Sequence, residues 1–377
     1  MPDATVPTSP ASPLPGSPTL PVWSGEAAVE RAAALLLAGG LVGLPTETVY
    51  GLSAQADDAA AVARVFAAKG RPADHPVIVH VASPTALDPE HGWARDVPPY
   101  ARELAERLWP GPLTVIVARG PRSGYHVTGG QETVGLRCPD HPLALAVIEA
   151  VGSARGVAAG LAAPSANRFG RVSPTTAADV VADLGPHLDP ARDAVLDGGR
   201  CRVGVESTIV SCLGPTPRIL RPGGIDAATV AAVTGLVVTD TDGTEVAPGG
   251  AAEAVGTAVG GAQDSGNAAQ VRAPGTLASH YAPAAAVVLV GADDVADAVQ
   301  GGAQGRTGLL APASVATPPG VTRLAAPGDA AAYAREVYAA LRGADALGLG
   351  LVVAVAPDGD GVAAAVRDRL TRAAAGR

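Results

Sequence analysis

The sequence predicts an α/β protein of two domains. Strand-length apolar runs alternate with helical patterns from Leu41 to Leu220, and the alternation resumes from Val287 to Val355. Between these regions, residues 238 to 270 are rich in Gly, Ala, Thr and Asp without a firm period, as expected of a linker. At 377 residues the chain is long enough for two cores of ordinary size.

Residues 1 to 22 hold seven prolines and a single charge, Asp3, with no pattern for a packed face, so a disordered tail is expected there. Ser24 is positioned to cap a helix with Ala28, Ala32, Leu35 and Leu36 on its apolar face, ending at Gly39-Gly40. Leu41 to Leu44 reads as a buried strand. It stops at Pro45 and enters Thr46, Glu47, Thr48, Tyr50 and Gly51, a cluster of short hydroxyls around one carboxylate. Asp57 or Asp58 starts the next helix, which carries Val62, Val65 and Phe66 on one face and has Gly70 past its end. Lys69 and Arg71 therefore leave from a helix terminus, where removing Lys69 is expected to cost activity more than stability. Val77 to Val81 reads as a strand carrying His80, either a satisfied core histidine or a ligand-facing one.

A helix over Tyr100 to Leu108 leads through Trp109-Pro110-Gly111-Pro112 to the strand Leu113 to Val117. Thr133 to Pro139 is an alternating strand with Arg137 near its end. A guanidinium on an apolar strand needs a partner, either a structural carboxylate or a ligand. Leu161 to Ala163 ends in Pro164-Ser165-Ala166-Asn167, before Ser173-Pro174-Thr175-Thr176, so small polar side chains sit where a strand gives way to a helix. Asn167 is one of only two asparagines; a turn role is its ordinary explanation. Val195 to Gly199, the Glu206-Ser207-Thr208 strand start and Arg218 to Arg221 complete the first region, whose boundary falls at Thr234. The linker, 235 to 283, ends in a segment, 273 to 283, holding His280 and Tyr281. In the second region, strands at Val287 to Val290, Thr307 to Leu310 and Leu349 to Val355 alternate with helices near 294 to 300, 329 to 342 and 361 to 374. The last helix places Val362, Val366, Leu370 and Ala373 on one side, leaving Arg367, Arg369 and Arg372 for a solvated face.

Composition narrows the function. A net charge of -9 argues against broad adhesion to nucleic acid, so any bound anion must be held by placed residues. Cys138, Cys201 and Cys212 lack C-x-x-C spacing, which disfavours zinc and a disulfide framework and leaves buried apolar thiols. No basic segment precedes an apolar one at the start, and no apolar run approaches the ~20 residues that span a bilayer, so a cytoplasmic protein without membrane contact is expected. Lys69 is the only lysine among 27 basic residues and lacks the flanking glycine and hydroxyl of a P-loop. No H-E-x-x-H or G-x-S-x-G occurs. What remains is a set of hydroxyls with Lys69, Arg71, Arg137, Arg221 and His80, suited to holding phosphates and a carboxylate.

The motifs PTETVYGL, AKGRP followed by His75-Pro76, WPGPLTVIV, VGLRCP, APSAN, SPTTA, GVESTIV and ILRPG occur in this order. Together they resemble the YrdC-type threonylcarbamoyl-AMP synthases. HYAP and the last hundred residues are similar to the long form of that family. The resemblance implies a YrdC-like twisted mixed sheet over 23 to 234, and a smaller Rossmann-like domain over 284 to 377. The latter has no G-x-G-x-x-G, so no dinucleotide is expected there. The implied reaction joins L-threonine, bicarbonate or CO2 and ATP into threonylcarbamoyl-AMP and pyrophosphate. Mg2+ accompanies the ATP. The adenylate passes to a tRNA threonylcarbamoyl-transferase complex that modifies adenosine 37 of ANN-decoding tRNAs; direct tRNA contact stays open. By similarity, Thr48, His80, Arg137, Ser165 and Ser207 surround threonine. Lys69, Arg71, His75, Thr133, Asn167, Thr175, Arg221 and Tyr281 hold ATP, with Lys69 and Arg71 nearest the chemistry and His75 standing where the family often has Asn. The 273 to 283 segment is expected to close over the ATP. The rival reading is a double-stranded RNA-binding module on the same fold, against which stand the acidic total and the lack of an aromatic platform; a hydrolase or carbamoyl transferase is a third.

Overall fold

The structure is a computed structural model and describes residues 19–249, 271–277, 279–301 and 306–376. The first elements are β1 (Val22–Ser24), α1 (Ala27–Leu37), β2 (Leu41–Leu44), β3 (Gly51–Gln55), α2 (Ala59–Lys69) and β4 (Val79–His80). The helix α2 begins where the Asp58 carboxylate accepts from the Ala60 and Ala61 amides, and stops at Gly70, which takes the left-handed φ of 62°. There the sequence signals and the structure coincide. The start of the chain differs: Ser24 makes no cap, because Val22 to Ser24 instead pair with a later strand, and Leu20 is buried. The expected tail of 1 to 22 thus gives way to ordered chain at its end, while residues 1 to 18 lie outside the described residues.

Next come β5 (Ala94–Arg95), α3 (Pro99–Leu108), β6 (Leu113–Arg119), the short α4 (Tyr125–Thr128), β7 (Thr133–Arg137), α5 (Pro142–Arg155) and β8 (Leu161–Ala162). They are followed by α6 (Ala177–Leu184), β9 (Asp193–Asp197), β10 (Thr208–Ser211), β11 (Arg218–Arg221), α7 (Ala227–Thr234), β12 (Val238–Thr239) and β13 (Glu245–Val246). All thirteen strands form one mixed sheet in the order β1-β9-β2-β3-β8-β4-β7-β6-β10-β11-β12-β13, with β5 on β6. The last two strands correct the expected linker. Val238 and Val246 are buried in the main aliphatic core, so the sheet runs past residue 234. Two-residue strands are too short to show a period of two.

Register decides which side chains meet. Parallel β4 and β7 set His80 beside Arg137, while Gly51 bridges Ser165. Because alternate residues of a strand share a face, Ile78 lies on the same side as His80, and Thr133 and Gly135 on the same side as Arg137. Ile78, Ile116 and Ile209 make an apolar patch on the sheet, covered by Ala273 of the returning segment.

The second domain contains β14 (Ala286–Leu289), α8 (Val295–Gly301), β15 (Thr307–Leu310), β16 (Thr322–Ala325), α9 (Ala330–Ala346), β17 (Leu351–Ala354) and α10 (Val362–Ala374). Its four strands are all parallel, in the order β14-β17-β15-β16. The half-exposed edge strand β16 has no apolar run to announce it. The helices α9 and α10 dock on the first domain, where Val49, Val172 and Val205 join Tyr338, Leu341 and Leu370 in one core. The Arg342 guanidinium adds bonds of 3.0 and 2.8 Å to the two oxygens of Asp183 on α6.

Asp193 fixes α2, and with it Lys69, to the sheet. Its buried carboxylate accepts from the Leu41 amide at 2.9 Å, from the Asp189 amide at 2.9 Å and, on both oxygens, from one terminal nitrogen of Arg64, whose other terminal nitrogen donates to the Gly39 carbonyl. Asp193→Ala leaves those donors unsatisfied and is expected to lower stability by about 3 kcal/mol in urea unfolding. A loss below about 1 kcal/mol would show that Arg64 and water compensate.

Candidate functional site

The returning segment, residues 271–277 and 279–283, crosses the face of the sheet over a narrow cavity of about 50 Å³. Its floor is Gly51, Ile78, His80 and Arg137; Ser165, Ser207, Arg71 and Arg221 stand around the rim, and Pro274, His280 and Tyr281 form the roof. Seven of the expected residues therefore converge: His80, Arg137, Ser165, Ser207, Arg71, Arg221 and Tyr281. The space holds one or two waters at ~30 Å³ each, too little for a nucleotide.

The other expected residues lie behind or beside this cavity. The Thr48 hydroxyl is buried against that of Thr46 at 2.9 Å. Thr133 faces a neighbouring crevice shared with Ile78, Gly135 and Pro274. His75 packs edge-on against Phe169 at 5.4 Å. Asn167 donates to the Arg168 and Arg171 carbonyls, as a turn residue does, but its Oδ1 is buried without a partner. The Thr175 amide donates to Asp179 at 2.9 Å, next to the capping box that starts α6.

Lys69 differs most from its expected setting. It ends α2 as anticipated, yet its side chain is only 1% exposed, and its ammonium donates to the Ser165 and Asn167 carbonyls at 2.5 Å each. It holds the 165 to 167 turn from behind, so its truncation to Ala would cost stability as well as activity, against the expectation from sequence. Burial, reinforced by the nearby Arg71 guanidinium, pulls the Lys69 pKa well below its ordinary value.

The charges around the cavity do not balance. Arg137 pairs with buried Glu47 at 2.8 Å, which answers the question of its partner while leaving it facing the cavity. By contrast, Arg71 donates to the Pro76 carbonyl, and Arg221 to the Ser207 and Pro274 carbonyls and the Ser207 hydroxyl. Lys69 likewise bonds to neutral oxygens. Among the described residues none of these three has a carboxylate partner. Burial lowers the Arg71 pKa to about 10. It also holds His80, with help from Arg137, and His280 down at about 3, so both imidazoles are neutral.

Several residues at this site were not singled out in sequence. Glu47 and Thr46 stood in the hydroxyl cluster, but only the fold shows that Glu47 meets Arg137. Glu206 precedes Ser207 and is held by Ser173, Tyr338 and Arg369 at 2.6, 2.7 and 2.8 Å. Burial pushes its carboxyl up, but the Arg369 and Arg221 guanidiniums outweigh it and hold it at about 2. Arg369 is 0% exposed, so the solvated face expected for the last helix is wrong at this residue. Tyr281 adopts a φ of 61°, rare for an aromatic residue, and Gly275 at 75° comes so close that a Cβ there would lie 2.4 Å from the Tyr281 hydroxyl.

Other features offer less. A wider cleft of about 870 Å³ contains Arg122 and Arg155, but both already pair with Asp57. Asp88, Glu90 and His91 cluster outside the cavity, with Asp88 bonded to Arg102. The three cysteines are free and buried, and burial pushes the Cys138 and Cys201 thiols up to about 12, in keeping with inert apolar thiols. No helix among the described residues is long and apolar enough to cross a membrane.

Comparison with known proteins agrees with this two-domain architecture. A family model covering Sua5, YciO and YrdC proteins, described as "Telomere recombination", matches residues 34–223. A second, described as "Threonylcarbamoyl-AMP synthase, C-terminal domain", matches residues 241–375. The chain is 36% identical to the threonylcarbamoyl-AMP synthase of Bacillus subtilis over 357 residues, 93% of each chain. It is 39% identical to that of Pyrococcus abyssi over 262 residues, 70% of this chain and 67% of the relative. The crystal structure of P. abyssi Sua5 complexed with L-threonine superposes with a TM-score of 0.75 at 33% identity, covering 95% of this chain and 98% of that one. With both domains matched in order and a solved relative of the same architecture, the chain belongs to the threonylcarbamoyl-AMP synthase family in its two-domain form.

Proposed function

We propose that the protein joins L-threonine, bicarbonate or CO2 and ATP into threonylcarbamoyl-AMP and pyrophosphate. The threonine nitrogen bonds to the one-carbon unit to give a carbamate, losing a proton when the unit is CO2 and releasing water when it is bicarbonate. The carbamate oxygen bonds to the α-phosphorus of ATP as the bond to the β-phosphate oxygen breaks, and pyrophosphate leaves with that electron pair. The observation that carries this reading is the buried, unbalanced positive charge of Lys69, Arg71 and Arg221, which an anionic ligand would neutralise. The adenylate serves tRNA threonylcarbamoyladenosine formation through a downstream transferase complex. An RNA-binding module is disfavoured, since the charge is buried around a narrow cavity and not spread on a surface.

The residues divide by chemistry. Arg137, braced by Glu47, clamps the threonine carboxylate with its fork, and Ser165, Ser207, Thr48 and neutral His80 complete that pocket. Arg71, Arg221 and Lys69 face the phosphates, with His75, Thr133, Asn167, Thr175 and Tyr281 around the nucleotide. Because Thr48, Lys69, Asn167 and Thr175 stand behind the present cavity wall, lifting the roof and shifting the 165 to 167 turn precede their contact with ligand. No side chain is needed as nucleophile. Mg2+ enters as part of the ATP substrate and supplies charge neutralisation on the phosphates. Glu206 at the cavity and Glu47 beside it are engaged by Arg369 with Tyr338 and by Arg137, so phosphate and water oxygens would hold the metal.

Incubation with ATP, threonine and bicarbonate tests the reading: pyrophosphate release must depend on threonine. Tight RNA binding without that release would favour the rival module. Arg137→Lys, which keeps the charge and loses the fork, is expected to raise the threonine KM about tenfold or more. Lys69→Met fills the same space without a buried charge, so it should fold with near-normal stability and lose most of its turnover; an active variant would remove Lys69 from the site.

Acid should loosen the site before it protonates carboxylates. His80 and His280 are neutral in the fold, held near 3, but titrate near 6.5 when unfolded. Stability is therefore complete above pH 6.5 and declines as pH falls towards 3, at up to ~1.4 kcal/mol per pH unit for each histidine. Glu206 adds a further loss as pH falls from 4.5 towards its folded value of about 2. Urea unfolding between pH 7 and 5 should show this slope, and His280→Gln should reduce it; a flat profile would mean that the roof is open in solution.

A further inference from the structure

Arg369 joins three separate segments of the cavity. From α10 its Nε donates to Glu206 Oε2 at 2.8 Å, and its second terminal nitrogen donates to the Pro222 carbonyl at 3.0 Å. Its guanidinium carbon lies 5.3 Å from the centre of the Tyr281 ring. Each contact adjoins a cavity residue: Glu206 precedes Ser207, Pro222 follows Arg221, and Tyr281 is the roof itself. Tyr338 of α9 reinforces the grip, donating its hydroxyl to the same Glu206 oxygen at 2.7 Å.

The backbone is fitted to this contact. Gly204, at a φ of 84°, brings the chain so close to α9 that a Cβ there would lie 2.3 Å from the Ala334 carbonyl oxygen. The roof is tied to the same helix pair, because the His280 amide donates to the Arg372 carbonyl at 3.3 Å and Arg372 donates to the Leu277 carbonyl at 2.5 Å. Without the second domain, Glu206 would keep only the Ser173 hydroxyl as donor. A buried carboxylate with one neutral donor is unfavourable, so the strand start at Ser207 would relax towards water.

We propose that Arg369, supported by Tyr338, is a positioning residue for the reaction: docking of the C-terminal domain sets Ser207, Arg221 and Tyr281 in register through one guanidinium. The second domain is then an assembly element of the cavity and not only an anchor for the roof. This rests on the reading that the cavity holds threonine and ATP.

The test compares the full-length protein with Arg369→Lys, Tyr338→Phe and Arg171→Ala. The last weakens a different interdomain pair, Arg171 with Asp345 at 3.6 Å, which does not touch Glu206. Amide exchange in the ligand-free protein is read at Thr208, His280 and Ala282, whose amides donate to Pro112, Arg372 and Gly170. Arg369→Lys is expected to speed exchange there about tenfold while leaving Val337 to Leu341 of α9 unchanged, and to raise the threonine KM by a similar factor. Tyr338→Phe, a single-oxygen deletion that tests the idea even if the lysine variant misfolds, should give a shift of about threefold in both. Arg171→Ala should match the wild type at Thr208 and His280 and in the threonine KM, Ala282 being left out of this comparison because Arg171 bridges it. The proposal is overturned if Arg369→Lys exchanges like the wild type, if exchange rises equally along α9, or if it rises locally with the threonine KM unmoved. If the wild type shows no threonine-dependent turnover, the function reading fails, and exchange alone still decides whether Arg369 sets the three segments.

Discussion

Buried positive charge without matching negative charge is the constraint on which the rest of this structure depends. Lys69, Arg71, Arg137, Arg221 and Arg369 are all buried near one cavity. Among the described residues Arg137 pairs with Glu47, and Arg369 with Glu206 and Asp368, which leaves Lys69, Arg71 and Arg221 without a carboxylate partner. A lone buried ion costs several kcal/mol even after relaxation. The fold limits that cost by turning backbone carbonyls towards the cations: Ser165 and Asn167 for Lys69, Pro76 for Arg71, Ser207 and Pro274 for Arg221. Carbonyl dipoles are partial substitutes for a counter-ion. On the proposed reading, a bound triphosphate and carboxylate would supply the missing charge, which would explain why an acidic chain concentrates cations in one buried place.

The roof and the second domain follow from the same constraint. A narrow cavity of about 50 Å³ limits solvent at the cations, and the Pro274 carbonyl reaches down to Arg221 as part of the cover. On the proposed reading, substrates would compete with the roof for these donors, and binding and opening would be coupled through differential contacts with the same groups. The second domain adds a carboxylate-guanidinium pair at the edge of the cavity, and its helices share an apolar core with Val49, Val172 and Val205. Breaking such a pair by removing one partner is costly, which makes the interface suited to fixing one arrangement.

Much of the fold was legible in local chemistry. The Asp58 cap, the left-handed Gly70 and the apolar run Leu41 to Leu44 each specify their element from neighbouring residues alone. The motifs located His80, Arg137, Ser165, Ser207, Arg71, Arg221 and Tyr281, which the fold brings to one cavity. What sequence hid is what tertiary contact creates. Arg369 sits next to Leu370 on a helix that is covered on two sides, by its own sheet and by the first domain, so its buried stripe is wider than an amphipathic period suggests. Lys69 looked like a free helix terminus because nothing local shows that the 165 to 167 turn wraps over it. The strands β12 and β13 escaped because two residues carry no period, and the edge strand β16 because no face of it is fully buried. Ser24 had the chemistry of a cap, but pairing with β9 offered its backbone a better use.

The central claim, that these buried cations await an anion, is tested most directly by proton uptake. Burial and mutual repulsion lower the proton affinity of Lys69, and of His75, His80 and His280 beside the same guanidiniums. An anion arriving among them must raise those affinities. Calorimetric titration of Mg·ATP at about pH 8, where the nucleotide is fully ionised, in two buffers of different ionisation enthalpy gives the number of protons exchanged. Net proton uptake, reduced in Lys69→Met, is the predicted result. Binding with no exchange or with proton release would mean that the positive charge is already compensated, and would contradict the account.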